Sequence, residues 1–199
     1  MKHHHIFASL LAIGLVACEP ATEDQPPSVE AAEEAPLAAE QLEIAEQMID
    51  AFYSFDPELL SPFLTEVGDE GSRLLWYQGW AEGGNYKIVS RAPCALGEAD
   101  KINCPITVED DPVLALGSDF KVTDTFTISF DGTTIVSVET SSNDQPIYYQ
   151  ASAWVRENLP EVMEGPCKGF FADGETPGDC ARAMADGYAQ FAASEDFPE

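Results

Sequence analysis

From Leu42 onward the apolar residues recur at helical spacing. Leu42, Ala45, Ile49 and Phe52 fall at i, i+3, i+7 and i+10, with Met48 and Phe55 widening the stripe, as the core face of an amphipathic helix requires. Asp56-Pro57 has the form of an N-cap followed by proline at the first helical position, which starts a short second helix through Leu60 that Pro62 interrupts. A third helix is predicted from about Glu70 to Glu82, with Leu74, Tyr77 and Ala81 on one face and Trp76 and Trp80 beside it. Gly83-Gly84 supplies its stop.

In the middle of the chain the period changes to two. Tyr86 to Arg91 begins a strand, and Ile102, Cys104, Ile106 and Val108 alternate in the next. From Phe120 to Phe130 the residues Phe120, Val122, Phe126, Ile128 and Phe130 share one face, while Lys121, Thr123, Thr125, Thr127 and Ser129 take the other. Asp131-Gly132 is the strongest short hairpin signal in the chain, and Thr134, Val136 and Val138 follow as its return strand. The last fifty or so residues are helical again. Ile147, Ala151 and Trp154, with Tyr148, Val155 and Leu159, mark one helix that Pro160 breaks. Thr176-Pro177-Gly178-Asp179 has the form of a capping box, after which Ala181, Met184, Tyr188 and Phe191 repeat at helical spacing. The predicted class is therefore α+β: three N-terminal helices packed on an antiparallel sheet of about four strands, followed by a helical hairpin.

The N-terminal forty residues read differently. Met1-Lys2 and His3 to His5 precede an apolar stretch, Ile6 to Ala17, that ends in Leu15-Val16-Ala17-Cys18. About a dozen apolar residues are too few to span a bilayer core, which takes about 20, and have the size of a signal-peptide h-region. The small residue before Cys18 resembles the lipobox of bacterial lipoproteins, which implies cleavage after residue 17 and a lipid on Cys18. Glu19, rather than aspartate, follows it; in the sorting pattern of such lipoproteins this implies the outer membrane facing the periplasm. Residues 18–40 carry seven acids, four prolines, no basic residue and no aromatic. That composition is expected to form an extended tether that anionic headgroups repel. Residues 41–199 are then one domain, with 41–145 as its core and 146–199 as a helical extension; 159 residues suit one core that buries roughly 70% of the unfolded surface.

Beyond Cys18 the cysteines are Cys94, Cys104, Cys167 and Cys180, which allow three connectivities. Both local pairs enclose loops rich in turn-formers, so Cys94–Cys104 and Cys167–Cys180 are favoured, each closure contributing roughly 2–3 kcal/mol. All three histidines lie in the first five residues. The mature chain would have none, which excludes Ser-His-Asp and Cys-His nucleophile systems and His-ligated metals. The net charge of −27 excludes nucleic acid. Gly68 to Gly71 and Gly83-Gly84 match no phosphate-binding fingerprint, so no nucleotide is expected. The acids of 109–111 and Asp173, Glu175 and Asp179 do not fit calcium-loop spacing and read as solvated surface; no metal and no cofactor is implied.

Three helices followed by an antiparallel meander resemble the nuclear transport factor 2-like fold, the cone-shaped family that includes ketosteroid isomerase and polyketide-cyclase-like proteins. The stretches Tyr77-Gln78-Gly79-Trp80-Ala81-Glu82-Gly83-Gly84-Asn85-Tyr86 and Ser141-Ser142-Asn143-Asp144 resemble segments of uncharacterised bacterial members. The resemblance covers about residues 40–145 and implies a curved sheet around a cavity, whose mouth the added C-terminal hairpin could cap. It supplies no catalytic signature that can be carried over residue by residue.

One position breaks the strand pattern. Asp124 stands on the apolar face between Val122 and Phe126. Desolvated there, its carboxyl would have a raised pKa and could act as a base, with Tyr77 or Tyr86 donating to a developing oxyanion. The plainer alternatives are a bulge that reverses the alternation, or pairing with Arg73 or Arg91. Trp76, Trp80 and Trp154 with Tyr148 and Tyr149 could line a binding pocket or simply build the core. These features lead to a lipid-anchored, extracytoplasmic module of non-catalytic binding type, its partners the membrane through Cys18 and a small apolar ligand or an envelope protein. The alternatives are a small isomerase, cyclase or hydrolase using Asp124 with a Tyr donor, or a structural envelope protein whose cone is filled.

Overall fold

The computed structural model describes residues 29–169 and 177–198. The signal segment, Cys18, the tether as far as residue 28, Asp173, Glu175 and the capping Thr176 lie outside the described residues.

Helix α1 runs Val29–Tyr53, so the last part of the expected tether, 29–40, is helical rather than extended. The reason is composition: alanine, glutamate and leucine dominate this stretch and are strong helix formers, and Pro36 sits inside the helix. Its packed stripe begins further along, where Ala45, Met48, Ile49 and Phe52 are fully buried. Asp56 caps α2 (Pro57–Leu60) by accepting from the Glu58 N–H at 2.9 Å. A 3₁₀ turn over Ser61–Leu64 leads into α3 (Asp69–Gly83). Gln78, buried in α3, donates to the carbonyls of Ala51 and Phe52 at 3.0 Å each and so satisfies the C-terminal end of α1.

The sheet is antiparallel throughout and comprises β1 (Lys87–Arg91), β2 (Ala95–Leu96), β3 (Ile102–Glu109), β4 (Val122–Asp131) and β5 (Thr134–Ser142), in the order β1-β3-β4-β5 with the short β2 pairing β3 beyond β1. β2 is the strand beyond the four expected. Gly132, at φ +58, takes the first central position of the two-residue hairpin loop. On β5 the expected facing of Val136 does not hold. Ile135 pairs with Phe130 and Ser137 with Ser129, leaving Val136 as a bulged residue, 38% exposed, while Ile135 and Val138 turn inward. Cys94–Cys104 ties the bend after β1 to β3. At the same edge Arg91 pairs with Glu46 and Asp50 of α1.

Three short helices complete the described chain beside the long C-terminal one. α4 (Asp111–Ala115) was not anticipated: Asp110, expected on solvated surface, is buried as its N-cap and accepts from the Val113 N–H at 2.9 Å. α5 (Pro146–Asn158) is followed at once by α6 (Pro160–Glu164), so Pro160 starts a helix as well as ending one. α7 (Pro177–Ala192) is joined to the α6 side by Cys167–Cys180. Both favoured disulfides are thus present, and the α+β class holds with seven α-helices and five strands among the described residues.

Two hydrophobic clusters result. One packs α1 on the inner face of the sheet, with Met48, Ile49, Phe52, Ile106, Phe126 and Ile128 at its centre. The other joins Trp80 of α3 to Ala151 and Val155 of α5 and to Met184, Tyr188 and Phe191 of α7. α3 lies between them. A Cβ on Gly83 would lie 2.2 Å from the Gly178 carbonyl oxygen, so α3 and α7 meet backbone to backbone. Gly83→Ala is therefore expected to lower stability by about 1–3 kcal/mol through this clash, despite alanine's better helix propensity, which is worth up to about 1 kcal/mol. Urea denaturation of the two proteins measures it, and an unchanged or higher midpoint contradicts the contact.

Candidate functional site

Along β4 the buried positions are Val122, Asp124, Phe126 and Ile128, an unbroken alternation that carries the aspartate to the inner face. Asp124 pairs with Ile106 of β3 and Ser142 of β5 and is 2% exposed. The plainer readings of this residue fail on geometry. The β4–β5 bulge falls at Ser129/Phe130, Arg91 is engaged by Glu46 and Asp50, and Arg73 lines a separate recess beside Glu70 and Glu139. What meets the carboxyl instead is phenol: Tyr53 of α1 donates to Oδ2 at 3.4 Å, and Tyr77 of α3 also hydrogen-bonds to it.

Asp124 forms one wall of a cavity of about 250 Å³ that opens to solvent. Its other sides come from β5, through Thr140, Ser141 and Ser142, and from four further places. α3 contributes Trp76, Tyr77 and Trp80, the two indoles stacked with centroids 5.7 Å apart and planes at 24°. The turn after α3 contributes Tyr86: Gly84 donates to the Trp80 carbonyl at 2.8 Å, Asn85 takes a left-handed φ of +54, and the Tyr86 N–H returns to the Ala81 carbonyl at 3.0 Å. This folds Tyr86 back toward α3, where it lies edge-on to Tyr77 at 6.4 Å and is hydrogen-bonded by Trp80. The segment after β5 contributes Asp144, and α5 contributes Tyr148. Asn143 continues the ladder beside Thr123, accepting from its N–H at 2.7 Å, and Ser142 donates to the Asp144 carboxylate, so Asp144 is held at the rim.

Electrostatically the site is negative, and its titratable groups are largely buried. Burial is the chief cause that raises Asp124 from its usual 3.8 to about 7; the neighbouring Asp144 and Asp110 push the same way, and the Tyr77 and Tyr53 hydrogen bonds oppose. Asp110 is raised to about 6, again mainly by burial, against the pull of its bond from Val113. Tyr77, Tyr86 and Tyr148 are held well above 10.0 by burial first and then by neighbouring phenols or carboxylates, so all three stay protonated as donors.

Asp124, Tyr77, Trp76, Trp80 and Tyr86, the residues singled out in the sequence, thus line one cavity. Trp154 and Tyr149 do not join them. The Trp154 indole donates to Asp196 at 2.8 Å and packs on Phe191, and Tyr149 is 58% exposed. Tyr53, Asp110 and Asp144 were missed as site residues. Tyr53 follows the buried stripe of α1 by one residue, and only the pairing of α1 with β4 brings it to Asp124. Among the described residues no group of three or more His, Cys, Asp or Glu is arranged to hold a metal ion. The cavity offers a proton acceptor, several phenol donors and broad aromatic faces.

Because the folded state holds the Asp124 proton more tightly than the unfolded chain, its ionisation destabilises the fold: the cost is absent below pH 3.8, grows up to pH 7 and is complete above it. Asp124→Asn is expected to be more stable than the parent by about 2–4 kcal/mol at pH 8, with the gap closing on acidification. Paired urea titrations across this range check it; a less stable variant at pH 8 would show that the ionised carboxylate is well solvated. No family model, curated protein or solved structure matches the chain, and what the cavity does has to be drawn from its own side chains.

Proposed function

We propose that this is a small-molecule-binding domain, held at the cell envelope by a lipid on Cys18 and non-catalytic in type. The observation that carries the reading is the solvent-open aromatic cavity with a buried carboxylate in its wall. Pockets of this kind hold ligands through aromatic surface and fix their orientation through a few polar groups. A structural protein with a filled interior is disfavoured by the same open space.

A second reading, proton transfer by Asp124 in a small isomerase, cyclase or hydrolase, is favoured by the raised Asp124 pKa. Against it stands the occupation of Tyr77. Its hydroxyl bonds to Asp124 and so is turned from a substrate oxyanion toward the would-be base. Tyr86 accepts from Trp80 and keeps its own proton for donation, which leaves it as the one oxyanion donor this second reading has among the two tyrosines considered.

Two outcomes are expected. Cys18→Ser moves the protein out of the membrane fraction into the soluble one, which fractionation of cells reads directly; an unchanged distribution removes the lipid anchor. In saturation-transfer NMR on the full chain in a non-ionic detergent, phenol or indole receives signal at millimolar concentration, the affinity about seven to nine heavy atoms can reach. Thr140→Trp, which fills the mouth from an exposed position on β5, abolishes that signal. Equal signal in parent and variant places the fragments elsewhere and counts against this cavity as the binding site.

A further inference from the structure

We propose that the ligand of this cavity is a small organic cation, a quaternary or protonated amine, with the aromatic rings as its cage and Asp124 and Asp144 as its counter-ions. This rests on the binding reading above and names the ligand class. Five of the lining residues are Trp76, Trp80, Tyr77, Tyr86 and Tyr148, and ring faces attract a cation within about 6 Å, the more strongly the less water competes. Two of the remaining six are carboxylates, and no lysine or arginine lines the space among the described residues. A cavity of about 250 Å³ has the scale of a choline-sized ligand rather than of a large cofactor.

The three possible ligand charges fare differently here. An anion would meet Asp124 and Asp144 with no compensating base. A neutral apolar ligand would remove the remaining water from Asp124 and leave a buried ionised carboxylate uncompensated, or force it to keep its proton. A cation supplies the missing positive charge. Burial is what raises the Asp124 pKa, and a cation seated beside the carboxyl would act in the opposite direction.

The groups facing Asp124 fix the sign of the pH dependence. They are Tyr53 from α1, Tyr77 from α3, Tyr86 ahead of β1, Asp110 ahead of α4, Asp144 ahead of α5 and Tyr148 on α5, with Arg91 acting more distantly on Tyr53. The tyrosines stay neutral throughout. Asp110 and Asp124 lose protons between about pH 5 and 8, and each loss makes the cavity more negative, so a fixed cation binds more tightly as pH rises and expels protons when it binds near neutrality.

The experiment is calorimetry on the full chain in non-ionic detergent with choline, its neutral isostere 3,3-dimethylbutan-1-ol, and glycerophosphocholine. Choline should bind one to one, about tenfold more tightly at pH 8 than at pH 5.5 and about tenfold more tightly than the isostere, each tenfold being 1.4 kcal/mol. Asp124→Asn should lose about tenfold and flatten the pH profile. Should that variant fail to fold, Asp144→Asn at the rim and the plugging Thr140→Trp serve instead, the first weakening choline and the second abolishing it. Glycerophosphocholine separates the sources: affinity equal to choline assigns the cation to a lipid headgroup, and much weaker affinity, from phosphate repulsion by Asp144, assigns it to a free amine. An isostere that binds as well as choline overturns the cation and leaves the small-molecule site standing. Silence from choline, the isostere and the phenol fragment together overturns both.

Discussion

The structure depends most on the placement of α3 between two hydrophobic clusters. Its Leu74 and Ala81 belong to the sheet core, Trp80 to the C-terminal helical core, and Gln78 to the buried last carbonyls of α1. A helix used on so many sides needs room on at least one of them. Gly79 and Gly83 provide it, because Pro177 and Gly178 at the start of α7 lie where their side chains would be. With α7 docked this closely, Tyr188 and Met184 close over Trp80 and Val155, and α5 comes near enough for Tyr148 to face Tyr86 and Asp144 across the opening. The cavity is thus the seam where two cores meet along one helix, and Tyr77, Tyr86 and Tyr148 border both.

Against that apolar frame, Asp124 is the largest local cost. Strand pairing holds it there: β3 on one side and β5 on the other set the register over seven and eight residue pairs, and moving Asp124 outward would turn Val122, Phe126 and Ile128 out with it. Two phenol hydrogen bonds compensate part of the desolvation without adding charge. A nearby guanidinium would have neutralised the group altogether. Arg91 is instead held at the outer edge of the sheet by Glu46 and Asp50, where it joins α1 to β1 beside the Cys94–Cys104 bond. The cost of the carboxylate is therefore left partly open, a condition typical of positions that serve a ligand rather than the fold.

Much of this was legible in the chain, and the parts that were not have a common cause. Helical and strand periods located α1, α3, β3, β4 and α7 because each buries one regular face. Turn chemistry at Asp56-Pro57 and Asp131-Gly132 located α2 and the hairpin for equally local reasons. The identity of the cavity wall was half legible: Asp124 stood out as a polar residue in an apolar series, and Tyr77, Trp80 and Tyr86 sat in one short stretch. Tyr53, Asp110 and Asp144 gave no comparable local signal, since their roles arise from contacts across the fold. The same holds for Val136, whose outward turn follows from a bulge that only strand pairing defines. In 29–40 the alanines and glutamates favour a helix in spite of the charge and of Pro36, so charge and proline content alone point the wrong way there.

The acidity of the chain also needs to be divided by distance. The 29 acids and 8 bases of residues 41–199 suggest a field that acts on any approaching ion, yet at physiological salt exposed charges are screened beyond about 8 Å. Most of those acids lie on the surface and mainly promote solubility and faster encounter with cations. Asp110 and Asp124 differ, because both are buried, and Asp144 at the rim adds to the proton affinity of each. The potential inside the cavity is consequently set by these three groups and the phenols between them. Surface neutralisation would leave it almost intact, whereas removing one of the three would change it at once.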